Sequence, residues 1–306
     1  MTIKTYKKQV SLLLSTLPEV AKEKCFVLHG GTAINLFVRD MPRLSVDIDL
    51  TYFPIEDRAT SLENISQSLE RIKTYIESRL QAVRVVHQHK VSKLQVSYDG
   101  IQIKLEVNQI ARGTLKSPQI LQLCEKAQSE FEAFCAMPIV PTGQLYGGKI
   151  CAALDRQHPR DLFDIKYPLE NEGFSEEIKQ GFLLCLLSSD RPLHEIINPN
   201  FQDQRLAMTN QFEGMSLEFF SYEDYENIRE QLVKNIHMSL EEKDRVFLLS
   251  VKNLSPDWGI YDFEKFPAVQ WKLQNLEKLK TNNPDKHQEQ YQALQSVLDN
   301  VTEKRK

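Results

Sequence analysis

Asp47 and Asp49 stand one residue apart in the run Val46-Asp47-Ile48-Asp49-Leu50. Alternate residues of a strand project to the same face, which sets the two Cα atoms roughly 6–7 Å apart with both carboxylates together. Upstream, Phe26-Val27-Leu28 is a short apolar run that reads as a buried strand. Gly30-Gly31-Thr32 breaks that strand, and Ala33 to Arg39 follow with helical spacing. A glycine-rich helix start offers backbone N–H groups to phosphate, with the Thr32 hydroxyl as a further donor. Paired carboxylates offer hard oxygens to Mg²⁺. A bare pair of strand carboxylates is most often a solvated surface feature. Joined to the turn in the order strand, turn, helix, strand, it points to a divalent metal carrying a nucleoside triphosphate.

Such a pair needs a sheet to hold it. Val10, Leu13, Leu14, Leu17 and Val20 recur at helical spacing ahead of the first strand, and Leu62, Ile65, Leu69, Ile72 and Ile76 do so between Glu56 and Leu80. The period then changes to two. Strand-like runs cover Ala82 to Gln88, Lys93 to Tyr98 and Ile101 to Asn108, with a hairpin signal at Tyr98-Asp99-Gly100-Ile101. In the last of these, Ile103, Leu105 and Val107 share one face while Lys104 and Glu106 share the other. Glu106 thus lies on the polar face, where its plain role is that of a surface residue paired with Lys104 or another cation.

A polar linker near Arg112 to Gln119 precedes an apolar stretch from Phe134 to Val140, and Thr142 is placed to cap a helix over Gln144 to Arg156. Pro159 suits the first turn of the next helix. Helical periodicity then dominates over Glu176 to Leu187, Tyr222 to Asn235, Leu240 to Lys252 and Trp271 to Leu279, and the polar residues from Asn282 onward are expected to fray. The expected architecture is α+β, with a mixed or antiparallel sheet and flanking helices over residues 1–140 and a mainly α-helical domain over 141–306.

Within the helical half, Lys149 interrupts an apolar helix, where a lone lysine would ordinarily snorkel to solvent. Asp161 and Asp164 lie at i,i+3 spacing on one face. Their structural role would be to accept backbone N–H bonds and pair with Arg156 or Arg160. His87 and His89 sit at alternate strand positions, but no carboxylate or cysteine partner is evident, so they read as surface residues and not as zinc ligands. Trp258, Trp271, Phe263 and Phe266 read as core of the C-terminal half.

The chain has 306 residues, 41% hydrophobic and 26% charged, which is the composition of a folded globular protein. Its net charge of −4 excludes a global positive field for nucleic acid, though not a local basic groove. Five cysteines, an odd number with no CxxC pair, suit a reducing compartment and suggest no disulfide framework. The Ser11–Ser15 run is too short for a secretory signal, and no stretch approaches membrane-span length, so a cytoplasmic location without membrane contact is expected.

The motif GGTAINL followed by RLSVDIDL resembles the polymerase-β-type nucleotidyltransferases and, more closely, the AbiEii/AbiGii toxin family, with Arg43, Ser45, Asp47, Asp49 and Leu50 on that family's pattern. The resemblance continues through Lys149 in QLYGGKICAALDR, Arg160 to Ile165 in RDLFDI, and DRVFLLSVKNLSPDWGIYDF near the C-terminus, so it covers nearly the whole chain. It implies a polymerase-β-type nucleotidyltransferase domain with Mg²⁺ or Mn²⁺ on Asp47, Asp49 and Glu106. It also implies an NTP substrate bound through Gly30, Gly31, Thr32, Arg43, Ser45 and Lys149, with Asp161 or Asp164 as a further catalytic carboxylate. An RNA acceptor, in some members the 3′ end of tRNA, and a cognate antitoxin in a type IV-like toxin–antitoxin or phage-defence pair complete the expectation. A protein or small-molecule acceptor, or a silent nucleotide- or RNA-binding module, are the competing readings.

Overall fold

The computed structural model describes residues 2–303, with side-chain environments through residue 300, so the basic Lys304-Arg305-Lys306 tail lies outside it. The chain divides into two compact units. The first holds the residues up to Pro141 together with Arg205–Phe220, and the second holds Thr142–Gln204 together with the residues from Ser221 onward.

The first unit is built on one seven-stranded sheet. In chain order its strands are β1 (Phe26–His29), β2 (Asp47–Tyr52), β3 (Arg84–Gln88), β4 (Lys93–Tyr98), β5 (Ile101–Asn108), β6 (Gln119–Gln122) and β7 (Ala136–Ile139). Their spatial order is β3-β4-β5-β2-β1-β7-β6. The sheet is mixed, because β2 runs antiparallel to β1 but parallel to β5, and β1 runs parallel to β7. The β4–β5 hairpin turns on Asp99 and Gly100, both at positive φ (46° and 72°), the pair of left-handed residues that a tight hairpin asks for.

Period-two alternation decides which way the sheet faces. Ile48, Leu50, Ile103 and Leu105 are buried, and helices α1 (Ile3–Val20) and α3 (Arg58–Arg79) supply Val10, Leu13, Leu17, Ile65, Leu69 and Ile72 to the same core. Asp47, Asp49, Lys104 and Glu106 occupy the alternate positions and so point to the opposite face. A short helix, α2 (Gly30–Ala33), continues into a π turn over Ile34–Val38. Strand β6 falls at the end of the stretch expected to be linker. It is a four-residue edge strand with Ile120 77% exposed, so it carries no burial alternation to read. Helix α4 (Glu125–Phe131) follows it.

The second unit is helical: α5 (Thr142–Arg156), α6 (Pro159–Asn171), α7 (Glu176–Leu187) and α8 (Leu193–Ile197) come first. Helices α5 and α7 cross with backbones in contact. A Cβ on Gly147 would lie 2.2 Å from the Gly181 carbonyl carbon, and one on Gly181 would lie 2.1 Å from the Gly143 oxygen. The chain then returns to the first unit through the short helix α9 (Arg205–Ala207) and a π turn over Met208–Phe212. There Leu44 N–H donates to Met215 O at 2.8 Å and Leu217 N–H donates to Pro42 O at 2.9 Å, which straps the loop ahead of β2. Nothing in the sequence of 205–220 announces that return.

Helices α10 (Tyr222–Ser239), α11 (Glu242–Lys252), α12 (Pro267–Asn282) and α13 (Pro284–Glu303) complete the second unit. The expected fraying beyond Asn282 is wrong: α13 is a continuous helix that buries His287, Leu294 and Leu298. Its polar sequence hides a narrow stripe, and His287 Nε2 bonds Lys252 O at 3.0 Å while Lys252 Nζ donates to Gln290 Oε1 at 2.9 Å. The aromatic core is also redistributed. Phe263 and Phe266 are buried beside Phe247 and Tyr261, whereas Trp271 remains 38% exposed.

Candidate active site

Strand register assembles the carboxylates. Asp49 is the β2 partner of Glu106 on β5, and Asp47 is the partner of Lys104. Partners on adjacent parallel strands lie about 4.8 Å apart and project to the same side. Asp47, Asp49 and Glu106 therefore share one face of the sheet. All three are part-exposed, unlike the fully buried Ile48 and Leu105 beside them. Glu106 forms an ion pair with Lys93, its cross-strand neighbour on β4, at 2.5 Å, and not with Lys104.

The glycine turn is fitted to Asp49. Gly30 has φ +74°, in the left-handed region that favours glycine, and a Cβ placed on it would lie 2.5 Å from Asp49 Oδ2. That cradle exists only for glycine. The helix start at α2 has no side-chain cap, so its first-turn N–H groups are not satisfied by a capping oxygen. Gly31 makes room for a second side chain, since its Cβ would lie 2.6 Å from Arg43 Nη2 and 3.1 Å from Ser45 Oγ.

The neighbours of the turn hold it in place. Thr32 is wholly buried, and its hydroxyl donates to Asp47 O at 2.5 Å and lies 3.0 Å from Ser45 Oγ. Here the Thr32 hydroxyl ties α2 to the first residue of β2. Ser45 and Arg43 are 5% and 3% exposed, and Arg43 Nη1 donates to Leu44 O at 2.9 Å. Both pack under the glycine turn as its supports. Residues 215–217, which fasten the same loop, were invisible to motif reading because they lie some 170 positions downstream.

A different charge cluster lies in the second unit. Lys149, 8% exposed, donates from Nζ to Asp161 Oδ1 at 2.9 Å and lies 3.1 Å from Asp164 Oδ2. Arg156 reaches the other side of Asp161, Nε to Oδ2 at 2.5 Å and Nη2 to Oδ1 at 3.0 Å. Burial alone would raise the Asp161 carboxyl, but Lys149 and Arg156 override it and hold it well below the usual carboxylate range. The lysine does not snorkel, and the i,i+3 aspartates are the reason. His158 caps α6, its ring nitrogen accepting from Arg160 N at 3.1 Å, which fixes Asp161 in the first turn.

The donor set on β2 and β5 fits a divalent cation of the hard, oxygen-seeking kind. Asp47, Asp49 and Glu106 share one part-exposed face by register, and the backbone turn against Asp49 carries no Cβ. Among the described residues no helix is long and apolar enough to cross a membrane, and the five cysteines are free thiols.

Comparison with known proteins places the chain in a family. No curated protein sequence matched the chain. Among solved structures, the fold is similar to MenT4, a nucleotidyltransferase toxin from Mycobacterium tuberculosis H37Rv. The TM-score is 0.57 and the identity 13%, with 90% of this chain and 99% of that one covered. At that identity the likeness shows the fold. The family model described as "Nucleotidyl transferase AbiEii toxin, Type IV TA system" matches residues 11–275. The chain therefore belongs to the AbiEii family, the nucleotidyltransferase toxins of type IV toxin–antitoxin systems.

Proposed function

We propose that the chain transfers a nucleoside monophosphate from an NTP to a hydroxyl of RNA, the 3′ end of tRNA being the acceptor that the family resemblance favours. Asp47, Asp49 and Glu106 would hold Mg²⁺ or Mn²⁺. The observation that carries this reading is the register pair Asp49–Glu106 beside a glycine whose missing Cβ leaves room at Asp49 Oδ2. When bound, the metal would supply Lewis-acid polarisation of the phosphoryl oxygens and a lowered proton affinity at the acceptor oxygen.

The acceptor oxygen forms a bond to the α-phosphorus, the bond from that phosphorus to the bridging oxygen breaks, and pyrophosphate leaves. Glu106 would take the proton from the acceptor hydroxyl, with Lys93 steadying its carboxylate. First-turn N–H groups of α2 present donors to the triphosphate. Thr32 keeps Asp47 in register by holding its carbonyl. Lys149 is assigned to the nucleotide by the family resemblance, and Asp161 and Asp164 hold its ammonium. A cognate antitoxin would restrain the enzyme in the cell, and phage defence is the setting such pairs imply.

The test is incubation of the purified chain with each labelled NTP, Mg²⁺ and total RNA, beside Asp47→Ala and a chelated control. Label on RNA that disappears in both controls supports the proposal. Equal labelling by wild type and Asp47→Ala overturns the metal assignment, and label confined to a protein band or a small molecule overturns the acceptor.

A further inference from the structure

His87 and His89, set aside above for want of a carboxylate, have one. Glu70 on α3 lies against β3, and its Oε2 is 2.8 Å from His87 Nδ1. The two imidazole rings are in contact, with centroids 3.7 Å apart. Each of Glu70, His87 and His89 can offer one ligand atom such that all three lie within 4.8 Å of one another. Sequence reading missed this because Glu70 sits on an exposed helix position 17 residues before His87, where neither alternation nor motif links them.

We propose that Glu70, His87 and His89 form a second metal site, separate from the Asp47 face, for a divalent transition cation of the Zn²⁺ class. Three observations converge on it. The His87 side chain is only 2% exposed, and its Nε2 is buried without a hydrogen-bond partner. A buried polar atom without a protein partner is costly, and an ordered water or a bound ion is what ordinarily satisfies it. Second, the two imidazole rings lie 3.7 Å apart between centroids, which brings a nitrogen of each within reach of one ion. Third, the donor set mixes nitrogen and oxygen. Two imidazoles and a carboxylate suit Zn²⁺ and its neighbours, whereas Mg²⁺ asks for an all-oxygen shell.

The surroundings supply a second shell and an entrance. Ser66 Oγ lies 3.2 Å from His89 Nδ1 and is one helical turn before Glu70, so one face of α3 addresses both histidines. The Glu70 side chain is 48% exposed, which leaves the site open to solvent on one side. An ion there would be met by His87 Nε2, the ring nitrogen without a partner, while Nδ1 keeps its hydrogen bond to Glu70. It would fasten β3, an edge strand of the sheet, to the helix that covers it.

Zn²⁺ alone is the probe, titrated into the full chain in excess Mg²⁺ so that the carboxylate face is already satisfied. The wild type is expected to bind one equivalent, and His87→Gln/His89→Gln to bind it at least tenfold more weakly. Substituting Co²⁺ should give the intense visible absorption of a low-coordinate nitrogen-ligated ion in the wild type only. Glu70→Gln, with both histidines intact, should weaken binding to an intermediate degree. Thermal unfolding of the metal-free proteins shows whether the double variant is folded; if it is not, Glu70→Gln decides. Equal Zn²⁺ binding by wild type and Glu70→Gln, no Co²⁺ band in the wild type, or binding that vanishes in Asp47→Asn/Asp49→Asn instead, would each overturn the site.

Discussion

The chain carries two clusters of acidic residues beside a cation, and they are opposites. On the first unit's sheet, Asp47, Asp49 and Glu106 are part-exposed and share a face. In the second unit, Asp161 and Asp164 are 2% and 1% exposed, clasped by a lysine that is itself buried. A carboxylate that keeps its water can exchange it for a ligand at little cost. One that has given up water for an ammonium and a guanidinium is committed to them. The first cluster is therefore built to receive charge and the second to fix a charge in place, a distinction that residue type and spacing do not reveal.

The largest way to break the comparison is at the sheet. Asp47→Ala or Asp49→Ala should lower turnover by about 10³-fold or more, the several kcal/mol that a lost metal ligand is worth, with the unfolding temperature nearly unchanged. A large loss of stability there would mean that this cluster, too, is architecture. Next comes Lys149→Met, which leaves two buried carboxylates without their ammonium and should destabilise by about 3–5 kcal/mol in urea unfolding. If stability matches wild type, whatever happens to the KM for NTP, the second cluster is not the committed ion pair described here.

Acid provides a smaller and sharper cut. Because the folded Asp161 carboxyl is depressed, its contribution is present above the unfolded value of about 4 and is lost as pH falls below it. Asp161→Asn should therefore flatten the acid limb of a stability–pH curve, and a curve parallel to wild type would refute the coupling. Thr32→Val removes the hydroxyl that holds Asp47 O and should cost about 1–2 kcal/mol together with a roughly tenfold loss of turnover. Smallest of all, Lys93→Ala releases Glu106 from an exposed ion pair, so stability should move by less than about 1 kcal/mol.

Local periodicity explains what could be read in advance. The shared face of Asp47 and Asp49 was legible because a strand's face is fixed by counting in twos, and the β4–β5 hairpin because Asp99-Gly100 names its own turn, whereas the β2–β5 pairing that sets Glu106 beside Asp49 is stated by no local period. Thr32 was legible as a hydroxyl beside a turn but not as a buried one, since its partners lie 13 and 15 residues away across the fold. Strand β6 escaped because an exposed edge has no alternation, and α13 because Leu294 and Leu298 are nearly all of its apolar stripe. Arg156 was legible as a partner for Asp161, but Lys149 was expected to snorkel to solvent. That Arg156 and Lys149 would share Asp161 depended on a close approach of α5 and α6 that no spacing states.

The return of residues 205–220 to the first unit has a consequence during synthesis. The loop carrying Arg43 and Ser45 receives its last backbone partners from Met215 and Leu217, so the strap cannot close until the ribosome has passed Phe220. Roughly 80 residues separate that point from the end of β7, about 4–16 s of translation at ordinary rates. A nascent chain therefore emerges with its carboxylate strands complete but their supporting loop unfastened, and a fragment ending at Pro141 would keep that defect permanently.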